Sequence, residues 1–118
     1  MRPKFVATQN KGFGITFQNG FGVSVQWGTM NYCEKKNLGA DGDEEMKTKR
    51  WESRTAEIAV FNDKGIVPVG ENDDVIGWLT PNEVAIAIEI VSGYQGQTMT
   101  GMTGEKYIKD TFKKYSIK

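Results

Sequence analysis

The chain has 118 residues and balances 15 Lys plus Arg against 15 Asp plus Glu, which suits one domain spanning 1–118 and leaves no room for a second. Zero net charge argues against an acidic DNA mimic and against a generally basic nucleic-acid binder. With no histidine and a single cysteine, Cys33, the chain lacks Ser-His-Asp and Cys-His machinery, His-containing zinc sites and any intrachain disulfide.

Residues 1–11 lead in, with a short strand expected at Lys4–Ala7 and no long apolar run of the kind a secretory leader needs. The strongest local signal follows. Gly12-Phe13-Gly14-Ile15-Thr16-Phe17-Gln18-Asn19 is succeeded at once by Gly20-Phe21-Gly22-Val23-Ser24-Val25-Gln26-Trp27. Both octads alternate apolar with small or polar residues, which is strand periodicity. A two-residue Asn19-Gly20 turn would put the two apolar sets on opposite faces. A three-residue turn, Gln18-Asn19-Gly20, pairs Phe17 with Phe21, Ile15 with Val23 and Phe13 with Val25, so that all six share one face. The expectation is therefore a type I turn with Gly20 in the left-handed region as a G1 bulge.

Residues 28–50 read as a long polar connection, a length that usually signals function or mobility. Thr55–Phe61 reads as a strand with Ala56, Ile58 and Val60 inward. Asn62–Gly65 is a turn, Ile66–Val69 a short edge strand because Pro68 cannot donate to a central ladder, Glu71–Asp74 another turn, and Val75–Leu79 a strand. Thr80-Pro81-Asn82-Glu83 carries a helix start, with Thr80 as N-cap, Pro81 at N1 and Glu83 completing a capping box. That helix runs over about 81–92 with Gly93 as its stop. Val84, Ala87, Ile88 and Val91 form its apolar stripe, and Ile86 and Ile90 widen it as in a helix well buried on a sheet. Gly96–Gly104 reads as a flexible loop. Ile108, Thr111, Phe112 and Tyr115 predict a second helix over about 105–115. The fold class is α+β: an antiparallel sheet of four to five strands that starts with a hairpin and carries a buried helix.

Charge is segregated along this chain. Residues 65–104 hold five acids (Glu71, Asp73, Asp74, Glu83, Glu89) and no Lys or Arg, while residues 105–118 hold five lysines and two acids. Oppositely charged surfaces of this kind can steer a partner, although solvated faces and turn acids explain the pattern as simply.

Two segments carry binding-type chemistry. The first is Trp27 to Cys33 with Lys35 and Lys36 after it, where rings can stack, Asn31 can bond an edge and lysines can meet phosphate. The second is Lys47 to Arg54, where Arg50 and Arg54 flank Trp51 and guanidinium can stack on indole. The plainer reading makes Trp27, Tyr32 and Trp51 cover for the core edge and the cations solvated. Together the candidate partner-binding residues are Trp27, Asn31, Tyr32, Lys35, Arg50, Trp51 and Arg54. The acids at 41–45 echo a calcium loop superficially, but Met46 stands where that loop needs Gly and cations crowd its middle. No metal or cofactor is expected, and Cys33 has no histidine to activate it.

The run Gly20 to Glu34, together with Thr55–Phe61 and Gly77-Trp78-Leu79-Thr80-Pro81-Asn82-Glu83-Val84, resembles small accessory proteins of tailed bacteriophages. The resemblance implies an accessory or anti-defence gene product acting in the host cell cytoplasm, where such proteins often bind and neutralise a host component. It carries no catalytic residue. The leading expectation is a non-enzymatic, cytoplasmic binding protein that occupies a host bacterial protein. The alternative is a small-molecule sequestering protein for a nucleotide-type signal, and a carboxylate-dependent enzyme is a distant third. Neither a membrane nor nucleic acid is expected as partner, and homo-oligomerisation is left open.

Overall fold

A computed structural model describes residues 2–71, 73–96 and 102–117. The chain is α+β, with the order β1 (Lys4–Thr8), β2 (Gly12–Thr16), β3 (Gly22–Gln26), α1 (Gly39–Thr48), β4 (Ala56–Asn62), β5 (Gly65–Val67), β6 (Val75–Leu79), α2 (Pro81–Gly93) and α3 (Gly104–Lys114). Among the described residues the antiparallel sheet has six strands where four to five were expected, ordered β1-β2-β3-β4-β5, with β6 also paired to β4. One edge of β4 runs along β3. The other is divided, with β5 taking Val60 to Asn62 and β6 taking Ala56 to Ala59.

The hairpin register is the one that puts the apolar residues on one face. Phe13 pairs with Val25 and Ile15 with Val23, the Phe17 N–H donates to the Phe21 carbonyl at 2.8 Å, and Gly20 sits at φ +86°. Phe21, Val23 and Val25 are buried, while Phe13, Ile15 and Phe17 pack partly buried against the same core. The reason for the difference lies in the helical layer. Helix α2 lies across β3, β4 and β6 and beside α3, so cover thins toward β1, where Phe5 is 81% exposed.

Helix α2 begins as its sequence demands. The Glu83 N–H donates to Thr80 Oγ1 at 3.2 Å and the Thr80 N–H donates to Glu83 Oε1 at 2.9 Å, so two backbone donors that an open helix end would leave unpaired are satisfied. It ends at Gly93, as expected, but Gly93 is not in the left-handed region and makes no cap of that kind. Instead, the Asn19 side-chain amide, projecting from the hairpin turn, donates to the carbonyls of Val91 and Tyr94 at 2.7 and 2.8 Å. The turn and the helix terminus thus meet each other's polar demands. Val84, Ala87 and Val91 are buried; Ile86, expected inside, stands 36% exposed.

Helix α3 closes the core with Ile108 and Phe112, both fully buried, and Thr103 caps its start. Tyr115, expected on the inward stripe, is 55% exposed. Of the loop expected at 96–104, residues 97–101 lie outside the described residues, as does Asn72 of the turn at 71–74. The 28–50 connection is not the irregular segment its polarity suggested. It contains α1, whose Gly42 and Met46 are buried. The Asn10 side-chain amide holds the end of α1 by donating to the carbonyls of Met46 and Lys49 at 2.5 and 2.8 Å. The acidic run 41–45 is therefore helical, with the Asp43 carboxylate accepting from the Thr29 hydroxyl.

Ile58 is fully buried between the sheet and α2; Ile58→Ala should destabilise the fold by about 2–5 kcal/mol, since it removes apolar burial and leaves a cavity. Thr80→Ala should cost about 0.5–2 kcal/mol through the lost cap. Urea unfolding measures both.

Candidate functional site

On leaving β3 the chain must satisfy the backbone polar groups of an irregular segment, and it does so by clasping β4 and the residues before it. The Asn31 side chain folds inward: its Oδ1 accepts from the Gly28 N–H at 2.9 Å, and its amide nitrogen donates to Glu57 Oε1 at 3.2 Å. The second carboxylate oxygen of Glu57 accepts from the Tyr32 N–H at 2.9 Å. Two residues on, the Glu34 N–H donates to Thr55 Oγ1 at 2.9 Å, and the Glu34 carboxylate accepts from the Arg54 N–H at 2.6 Å. Deeper in, the Trp51 indole N–H donates to the Trp27 carbonyl at 2.9 Å. Lys35 Nζ stands 5.6 Å from the centre of the Trp51 ring and Lys36 Nζ 5.3 Å from that of Tyr32, within cation–π range.

These bonds join the two segments singled out in the sequence. Trp27, Tyr32, Lys35, Trp51 and Arg54 fall in one neighbourhood, because β3 and β4 pair directly with Gln26 opposite Glu57. Asn31 does not belong to the open surface: it is 8% exposed and both ends of its amide are used internally. Arg50 is exposed and, among the described residues, forms neither of the two ion pairs.

Beside this clasp, where the sheet ends against the first turns of α2, lies an open groove of about 350 Å³. Trp27, Leu79, Val84 and Ile88 wall it, and Arg54 stands at its rim. The Arg54 side chain is 92% exposed and only 3.9 Å from Glu34 at its nearest, so the guanidinium stays largely available to solvent. Next to it is a polar hollow in which Lys35 and Arg54 face Glu34 and Glu52.

Five contributors went unseen in the sequence. Leu79 read there as the end of a strand and Val84 and Ile88 as part of the apolar stripe of a helix, and only the packing of α2 opens one side of them to a groove. Glu57 read as an ordinary outward strand position. Trp78 read as strand, yet it has φ +60° and lies in a bulge where β6 has an extra residue between its pairings with Ala56 and Ile58. A bulky side chain in the left-handed region is strained. Its N–H donates to the Tyr32 carbonyl at 2.9 Å, and a Cβ on the neighbouring Gly77 would lie 2.5 Å from that of Tyr32. The bulge therefore lets the Tyr32 loop lie against β6, and leaves Trp78 itself 55% exposed. The Gly77-Trp78 pair within a strand was the available signal, since glycine there often marks a bulge.

Comparison with family models, with curated proteins and with solved structures returned no match for the chain.

Glu57→Ala should free both Asn31 and the Tyr32 N–H, at a cost of about 1–3 kcal/mol. Hydrogen exchange should show the Tyr32 amide losing protection while the amides of β2 and β3 keep theirs.

Proposed function

We propose that the chain is a non-enzymatic binding protein that occupies a protein partner through the apolar groove and its aromatic and cationic rim. The observation that carries this reading is the groove walled by Trp27, Leu79, Val84 and Ile88 with the exposed Arg54 at its edge. An apolar side chain of a partner would fill the groove, and Arg54, Tyr32 and the Lys35–Trp51 pair would supply the few contacts that dominate most interfaces. The resemblance to phage accessory proteins makes the partner a host or defence protein, met in the bacterial cytoplasm.

A nucleotide-type ligand fits the same place less well. Its phosphates would need a net positive field, and the hollow beside the groove sets the carboxylates of Glu34 and Glu52 against the cations of Lys35 and Arg54. Opposite charges at such separations nearly cancel for an approaching anion. The non-enzymatic reading rests on the absence of histidine from the chain and on the burial of Cys33, whose thiol lies 3.4 Å from the Gly28 carbonyl oxygen.

The test is affinity capture from bacterial lysate with the wild-type chain, Tyr32→Ala and Arg54→Ala, combined with native mass spectrometry for retained small molecules. The expected outcome is a protein partner whose affinity falls about tenfold or more in each variant, as for residues at the centre of an interface, with the thermal transition unchanged. A partner retained equally by both variants places the binding surface elsewhere, and a retained nucleotide overturns the protein-binding reading.

A further inference from the structure

A second surface lies on the far side of α2, away from the groove at Arg54. Helix α3 starts against the end of α2, with Tyr107 5.3 Å from Tyr94 between ring centres, and runs back along it. Between the two helices is an open groove of about 320 Å³ whose apolar walls are Ile86 and Ile90 on α2 and Tyr107 and Tyr115 on α3. Ile86 is 36% and Tyr115 55% exposed. The groove is thus an apolar strip lying between two antiparallel helices.

The two helices differ in charge. Helix α2 carries Glu83 and Glu89 and no cation, whereas α3 carries Lys106, Lys109, Lys113 and Lys114 against Glu105 and Asp110. Within the chain this difference is not used: among the described residues the ion pairs are Arg54–Glu34 and Lys106–Asp110, so neither Glu89 nor Lys113 nor Lys114 is in one. We propose that this face binds a second copy of the same chain, forming a twofold dimer in which α2 of each protomer lies on α3 of the other.

The charge pattern selects that arrangement. Two antiparallel helix pairs can stack face to face about a twofold axis in two ways. An axis across the helices sets α2 on α2 and α3 on α3, like charge on like. An axis along the helices sets the acidic α2 on the basic α3 twice over, as a self-complementary interface requires. In the second arrangement the facing helices are antiparallel, so the positive N-terminal end of α2 meets the negative C-terminal end of its neighbour. The apolar strips of Ile86 and Ile90 then close on Tyr107 and Tyr115 of the other copy, giving the four-helix packing that buries such strips in bundles. This surface is independent of the groove at Arg54, so either proposal can fail alone.

Sedimentation equilibrium of the full chain tests it. The wild type should show twice the monomer mass at micromolar to millimolar concentration, and added salt should weaken the association by screening. Glu89→Lys alone, and Lys113→Glu with Lys114→Glu, should each raise the dimer dissociation constant about tenfold or more, because each sets like charges together at both halves of the interface. Mixed in equal amounts, the two variants should form a heterodimer close to wild-type affinity, since both halves are then complementary. Ile86→Asp, at an exposed position, should also dissociate the dimer with the far-ultraviolet circular dichroism unchanged, which keeps the test open if a charge variant fails to fold. A wild type that stays monomeric at millimolar concentration, a dimer indifferent to Ile86→Asp, or a mixture no tighter than its components overturns the proposal.

Discussion

Strand β4 has hydrogen-bonded neighbours on both edges, and every other part of the molecule is placed by how it shares them. β3 takes one edge. The other is divided between β5 and β6, neither of which is long enough to cover it alone. The inward side chains of β4, Ala56, Ile58 and Val60, lie at the centre of the core with Val23 and Val25. A strand buried in this way must have partners for its N–H and C=O groups, because each group left unpaired away from water costs about as much as a lost hydrogen bond. The short β5 and β6 supply them, and β6 then delivers the chain directly into α2, which covers the same strands.

The clasp around residues 27–36 is a consequence at the end of the sheet. There β6 bulges opposite Glu57, and the Glu57 carboxylate, instead of facing open solvent, collects donors from Asn31 and Tyr32. The same bulge leaves the Trp78 N–H directed outward, to the Tyr32 carbonyl. An irregular loop thereby gains strand-like attachments without being a strand. Its exposed rings and cations are carried on a backbone whose polar groups are tied down, which lowers the entropy lost when such a surface binds.

Much of this architecture was legible in local pattern. The Phe-Gly-Ile-Thr-Phe and Phe-Gly-Val-Ser-Val alternation specified the hairpin and its register, since a one-residue slip would have turned half of the apolar set to solvent. Thr80, Pro81 and Glu83 specified the start of α2, because capping depends only on residues within one turn. Helix α1 was missed: its residues are polar, it has no side-chain cap at Leu38, and what holds it is Asn10 from a turn more than thirty residues away. The gathering of Trp27, Tyr32, Lys35, Trp51 and Arg54 could be anticipated only on condition that β3 and β4 pair, and the internal use of Asn31 could not be anticipated at all.

By itself the sequence determined the periodic elements, the hairpin turn, the cap of α2, the zero net charge and the lack of histidine, because each depends on neighbours along the chain or on composition. The tertiary structure alone decided which faces remain open. Ile88 and Ile86 look alike as members of one helical stripe, yet one lines the groove beside Arg54 and the other the groove toward α3. That difference depends on how α2 lies across β3, β4 and β6 and where α3 returns, and both follow from packing among residues distant in the chain. The bulge at Trp78 belongs to the same class: it goes with the close approach of Tyr32 to Gly77 and the sharing of Glu57 with Tyr32, 25 residues away, contacts that no local pattern encodes.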